Sequence, residues 1–274
     1  MNNLGGRIRG SAVITVCSGK GGAGKTTIVR TLVEILKTQY RVAVIDAALG
    51  SSGLSSIYGV YPDRRRSLEY FLNGANPPSE FVFPVNGIRF VPSRVNRTLN
   101  DIGADRNFNR ISEMVGFLKR YNDIVLIDSS SGLDLGLYES LMVTNLALIV
   151  VTTDPQSVSD GYAICKLCKS ITPQPETHFM LNMINSPEEF EDFNTKIGLL
   201  TGKFLKEEKR ALGFLRFDKL FMRSPGKVEF SSMLGRDNKV NLSELRKRLM
   251  GIIDRRNGGQ TPSSENISKV FKWQ

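Results

Sequence analysis

The 274-residue sequence holds three cysteines and one histidine, and each scarcity removes a class of protein. Cys17, Cys165 and Cys168 are too few for a disulfide framework. Cys165 and Cys168 have C-x-x-C spacing, but they lie in a helical pattern and no second pair completes a zinc site. Both are expected as small buried side chains in a reducing cytoplasm. The lone His178 has no triad partner and is expected to be structural. No apolar run reaches the ~18 residues that span a bilayer. Met1 to Gly10 lacks the apolar stretch of a secretory leader, and no internal repeat is present. What remains is globular in composition, 41% hydrophobic and 23% charged, with a net charge of +10. That charge points to a polyanion, either nucleic acid or an anionic membrane. Runs such as Arg64-Arg65-Arg66 and Arg246-Lys247-Arg248 are read as solvated faces.

Short apolar runs alternate with longer amphipathic stretches. The runs are Val13 to Cys17, Arg41 to Ile45, Ile88 to Val91, Ile124 to Ile127, Leu146 to Thr152, Phe179 to Ile184 and Leu212 to Phe217. Several are almost wholly apolar, as strands covered on both faces are. Ile28, Leu32, Ile35 and Leu36 share one helical face, and Ile164, Leu167 and Ile171 share another. The pattern predicts an α/β fold, a mostly parallel twisted sheet with helices on both faces. Ligands then bind at the carboxyl ends of the strands. The expected organisation is an N-terminal arm (1–10), one nucleotide-binding domain (11–256), and a linker with a short amphipathic segment (257–274).

The sequence around residues 19–26 fits G-x-x-x-x-G-K-[ST], running from Gly19 to Thr26 between a predicted strand and a predicted helix. Glycines let successive N–H groups turn inward toward phosphate oxygens, Lys25 supplies a compact positive charge, and the Thr26 hydroxyl can ligate Mg²⁺. The helix start adds its positive dipole end. Asp128 follows the run Ile124–Ile127, where a carboxylate can hold Mg²⁺, and Asp46 follows Val42–Ile45. Each alone could be a helix cap. Two at the ends of apolar strands, behind a phosphate loop, argue for a shared ligand edge.

Lys20 makes the loop resemble the deviant Walker A motif, K-G-G-x-G-K-[ST], of the MinD/ParA group of P-loop ATPases. The resemblance extends to about residue 225 and includes the FlhG/FleN subfamily of flagellar number and placement regulators. Val44 to Gly50 is similar to that subfamily's Leu-Leu-Asp-Ala-Asp-Leu-Gly, and residues 151–164 are similar to its Pro-x-Ser-Ile-Thr-Asp-Ala-Tyr-Ala-Leu stretch. Leu181-Asn182-Met183 resembles its Ala-Asn-Met, and Leu212 to Asp218 its Gly-x-Ile-Pro-x-Asp loop. The resemblance implies an ATPase forming ADP and phosphate. Its nucleotide contacts would come from Gly19, Gly21, Gly22, Ala23, Gly24, Lys25, Thr26, Thr27, Gly132, Asn182, Arg216 and Asp218. Gly132 would lie near the γ-phosphate and Asn182 at the adenine, while Arg216 replaces the family's proline beside the base. Mg²⁺ would be held by Thr26, Asp46 and Asp128. Lys20 would reach across an ATP-dependent homodimer to the partner's nucleotide, joining Lys25 and Asp46 among the catalytic candidates.

Ala48 stands where the family carries its second aspartate, which positions the attacking water. Alanine can neither orient nor deprotonate water, and losing such a group commonly costs ~10²–10⁴-fold in rate. The expectation is tight ATP and Mg²⁺ binding with slow turnover, either natural or from alanine introduced to trap ATP. The tail's Ile267, Val270, Phe271 and Trp273, beside Lys269 and Lys272, resemble the membrane-touching segments of MinD-like proteins. A cytoplasmic chain held peripherally at the inner membrane face follows. A tail docked on its own domain, or left loose, is the alternative. The partner would be an FlhF-type GTPase, a transcription regulator or a switch component. Met1 to Gly10 lacks the Asp-Gln-Ala-x-x-Leu-Arg element that activates FlhF. The alternative function is a ParA-like DNA-binding partition ATPase, with nucleic acid the less favoured partner.

Overall fold

The apolar runs pair into a single sheet in the computed structural model, which describes residues 11–49, 53–74, 76–94, 109–217 and 236–256. Its strands are β1 (Ala12–Ser18), β2 (Val42–Asp46), β3 (Phe83–Val85), β4 (Ile88–Val91), β5 (Ile124–Ser131), β6 (Leu146–Val151), β7 (Glu176–Ile184) and β8 (Ala211–Arg216). They lie in the order β3-β4-β2-β5-β1-β6-β7-β8. Every pairing is parallel except β3 with β4. The helices are α1 (Lys25–Leu36), α2 (Gly53–Tyr58), α3 (Leu68–Asn73), α4 (Asn109–Lys119), α5 (Leu135–Met142), α6 (Pro155–Lys169), α7 (Pro187–Leu205) and α8 (Arg236–Arg256).

Alternation along β1 shows why both faces must be apolar. Ile14 and Val16 pack with Ile28, Leu32 and Leu36 of α1 and with Leu245 and Leu249 of α8. Val13 points the other way, into a cluster with Phe71 of α3 and Met114 and Leu118 of α4. Cys17 joins Leu137 and Leu141 of α5 and Ile164, Cys165 and Cys168 of α6. Successive side chains of a strand face opposite sides, so a sheet sandwiched by helices has no polar face to spare.

All seven expected strands are present; β4 has the expected bounds, and the other six differ at one end or both by a residue or more. β2 begins at Val42 rather than Arg41, and β5 runs on to Ser131, so Asp128 lies inside the strand instead of closing it. β3 was not foreseen. It is three residues long with Pro84 at its centre, and it survives because it forms the sheet edge, where a missing N–H breaks no ladder. The three thiols are free and buried, as expected. His178 lies within β7 and pairs with Glu176 at 2.8 Å in the same strand, a structural role. The arm (1–10) and the tail (257–274), with Ile267, Val270, Phe271 and Trp273, lie outside the described residues, as does Asp218.

Candidate nucleotide site

The loop from Ser18 to Lys25 joins the end of β1 directly to the start of α1. Gly24, the residue before the helix, adopts φ 88° and ψ 26°, and no side chain caps the first turn. The first N–H groups of α1 are therefore left to an incoming anion. A Cβ on Gly24 would lie 2.1 Å from Asn182 Nδ2, and one on Gly19 would lie 2.2 Å from Asp160 Cβ. The loop is pressed between β7 and α6, and glycine is required at both points of contact.

Lys25 is buried, and its Nζ donates to Ser18 Oγ at 3.1 Å and Ser131 Oγ at 2.5 Å. Burial draws its pKa below the ordinary lysine value, against the opposing pull of Asp128. The amide of Gly132 donates to the Ser18 carbonyl at 3.0 Å, which ties the end of β5 to the start of the loop. Neither serine was singled out from the sequence, where small hydroxyl residues at strand ends carry no distinctive spacing.

Asp46 and Asp128 are register partners on adjacent parallel strands, and both are fully buried. Thr26 Oγ1 donates to Asp128 Oδ2 at 2.8 Å, while Asp46 Oδ2 accepts from Ser55 Oγ at 3.0 Å and Ser55 N at 3.3 Å. Burial pushes the Asp46 carboxyl up to about 7, helped by the neighbouring Asp128. Burial also raises Asp128 to about 6, opposed by the Thr26 hydroxyl and by Lys25. Asp46 Oδ1 and Asp128 Oδ1 remain buried with no hydrogen-bond partner among the described residues. Buried carboxylate oxygens without partners are costly, and a hard cation satisfies them. Mg²⁺ typically takes one or two carboxylates and completes its shell with water and substrate phosphate oxygens. Thr26, Asp46 and Asp128 fit that donor set. No group of three or more His, Cys, Asp and Glu capable of holding a metal occurs among the described residues.

Four further expected site residues are placed as follows. Ala48 lies just past the end of β2 and is buried, at 8% exposure. Asn182 is also buried and donates from Nδ2 to the carbonyl of Ala23 at 2.8 Å, so in this structure it braces the loop. Arg216 ends β8 and donates to the carbonyl of Asn185 at 2.7 Å. Lys20 is half-exposed and pairs with Asp154, the N-cap of α6, at 3.3 Å. The Asp-Pro pair that starts α6 is a legible helix-start signal, whereas its contact with a lysine 134 positions earlier is not.

The sequence from 14 to 261 matches the CobQ/CobB/MinD/ParA nucleotide binding domain. The chain belongs to this family. Among curated members, it is 26% identical over 215 residues to antiactivator FleN of Pseudomonas aeruginosa, covering 75% of this chain and 74% of that protein. It is 27% identical over 179 residues to flagellum site-determining protein YlxH of Helicobacter pylori, covering 64% of this chain and 59% of that one. The fold matches septum site-determining MinD of Pyrococcus horikoshii OT3, solved with Mg-ADP, with TM-score 0.72 and 18% identity over 90% of this chain and 99% of that one. It also matches the MinC:MinD complex of Aquifex aeolicus, with TM-score 0.69 and 22% identity over 88% and 96%. The uncapped α1, the buried Lys25 and the paired carboxylates all lie within the matched nucleotide binding domain.

Proposed function

We propose that this chain is an ATP-dependent dimerising switch of the MinD/FlhG type, with hydrolysis slowed by Ala48. The observation that carries the reading is the gathering of Lys25 and Thr26, which open an uncapped helix, with Asp46 at the end of β2 and its register partner Asp128 within β5. When bound, Mg²⁺ would screen the phosphates from the two carboxylates and neutralise charge developing on them. The chain's own residues do the remaining work. The loop and α1 amides hold the phosphate chain, Lys25 faces its β/γ oxygens, and Gly132 closes on its end. On the resemblance, Arg216 and Asp218 would contact the base, and Asn182, which braces the loop, would lie beside it. The side chain of Ala48 carries no group that could accept a proton from water, so ATP is bound well and cleaved slowly.

The names of the relatives support a positional role. FleN is named an antiactivator, YlxH a flagellum site-determining protein and MinD a septum site-determining protein. On this reading ATP-bound dimers recruit a flagellar or division partner, and the tail adds weak membrane contact that two copies strengthen. Deleting residues 262–274 is then expected to abolish binding to anionic vesicles. The net charge of +10 supports a second reading, a ParA-like DNA binder. ATP-dependent DNA binding that falls steeply with salt would favour that reading over the first. The direct test of the first is ATP turnover and ATP affinity of the purified chain beside Ala48→Asp. Tight binding with slow turnover is expected, and brisk hydrolysis by the alanine form contradicts it.

A further inference from the structure

We propose that Ser55 is the positioning residue that makes the cation site prefer Mg²⁺ over Ca²⁺, by leaving Asp46 a single available oxygen. The role rests on the nucleotide reading above and names what sets the choice of cation there.

A carboxylate has two oxygens with about four lone pairs between them. Ser55 takes both lone pairs of one oxygen, because its amide and its hydroxyl end on the same Asp46 Oδ2, at 3.3 and 3.0 Å. Oδ1 is left, buried and without a hydrogen bond among the described residues. Ser55 Oγ also lies 3.1 Å from the Ser93 carbonyl. It carries one proton, and a carboxylate that bears a cation is ionised and the stronger acceptor. The Ser93 hydroxyl lies beside the same carboxyl and meets no partner at hydrogen-bonding geometry. Asp128 is held less fully, since its Oδ2 accepts one hydrogen bond, from Thr26.

The donor itself is rigid. Ser55 is fully buried in α2, and its carbonyl accepts from the Val60 amide at 3.0 Å. Leu54 and Tyr58 on either side belong to the core, where Tyr58 meets Phe90 edge to face at 5.1 Å. A Cβ on Gly53 would lie 2.9 Å from Thr26 Oγ1, so α2 also seats directly against the threonine of the donor set. Ca²⁺ takes about six to eight oxygens and readily grips both oxygens of one carboxylate. Mg²⁺ demands near-octahedral geometry and keeps several waters. An Asp46 limited to Oδ1, whether it meets the cation directly or through water, suits Mg²⁺ and withholds a ligand from Ca²⁺. Alanine at position 55 would free a lone pair of Oδ2 and let the carboxyl turn. Outer-shell partners of this kind change metal affinity by about 10–100-fold.

The experiment uses the full chain, Ser55→Ala, Asp46→Asn and the double variant. ATP affinity is measured by calorimetry in EDTA, in saturating MgCl₂ and in saturating CaCl₂, and the gain each cation gives over EDTA is compared. Alanine removes one oxygen from a helical position, so folding is expected to survive, and a urea midpoint checks it. The wild type is expected to gain more from Mg²⁺ than from Ca²⁺ by about tenfold or more. Ser55→Ala should keep its affinity in EDTA and lose about tenfold of that preference. Added to Asp46→Asn it should change nothing, because its effect passes through that carboxylate. A wild type that gains equally from both cations overturns the role, and this arm needs no variant. So does a Ser55→Ala chain that keeps the wild-type preference, or one that loses affinity alike in EDTA and with both cations, the mark of a merely structural serine. A change in preference that persists in the Asp46→Asn background overturns it as well. In all of these the nucleotide reading stands as long as Mg²⁺ tightens ATP binding by the wild type. If Mg²⁺ gives the wild type no gain, the cation site itself fails and the role of Ser55 fails with it.

Discussion

Asp46 and Asp128 are carboxyls whose burial weakens the fold as they ionise. Both are fully buried, and burial raises them to about 7 and about 6, from about 4 in the unfolded chain. Between those values the folded state binds more protons than the unfolded one. Their contribution to stability is therefore fully present below about pH 4 and lost as pH rises through 6 to 7. In EDTA, Asp46→Asn is expected to stabilise the nucleotide-free chain at pH 8 by a few kcal/mol, on the order of one unit's 1.4 kcal/mol times the shift. It should have much less effect at pH 5. Urea denaturation at both values measures this, and equal effects at the two would refute it. Lys25 is the complementary group. Lys25→Met is expected to lower ATP affinity by at least ~10²-fold in calorimetry, since one buried charge-assisted contact to phosphate is removed along with its partners. At this scale the phosphate-loop lysine and the two carboxylates were legible, because spacing and strand ends mark them. Ser18, Ser131 and Ser55 were not, because serine at a strand end has no signature until the register is known.

Elements set how closely the loop and its supports can approach. α6 lies on β6 through Gly161, where a Cβ would sit 2.5 Å from Val151 Cγ1 and 3.3 Å from the Phe179 ring. Valine in a strand has few rotamers with which to yield. Gly161→Ala is therefore expected to destabilise by about 1–3 kcal/mol through overpacking, read as a lower urea midpoint. An unchanged midpoint would mean that the helix can lift at no cost. Because α6 also carries Asp154 and packs against Gly19, the same variant should slightly loosen the loop. Strands covered on both faces were readable as apolar runs, and α1 as a face of Ile28, Leu32 and Leu36. β3 was not, since three residues around Pro84 carry neither alternation nor length. Its existence follows from β4 offering an edge, a fact of tertiary pairing rather than local pattern.

The whole molecule joins these parts along one sheet edge. β1, β2 and β5 bring the loop, Asp46 and Asp128 together, while β6 and β7 place Asp154 and Asn182 against the loop's far side. The sequence motifs foretold the first group through the loop spacing and the apolar runs that precede Asp46 and Asp128. The second group depends on helix packing, which no spacing encodes. On this account the edge is completed by a second copy of the same edge, with Lys20 meeting the partner's nucleotide. The measurement that bears most directly on it is the mass of the chain in solution by light scattering, with and without saturating Mg-ATP. The account predicts one chain without nucleotide, two with it, and one again for Lys20→Ala under both conditions. A wild-type chain that remains single in saturating Mg-ATP would contradict it.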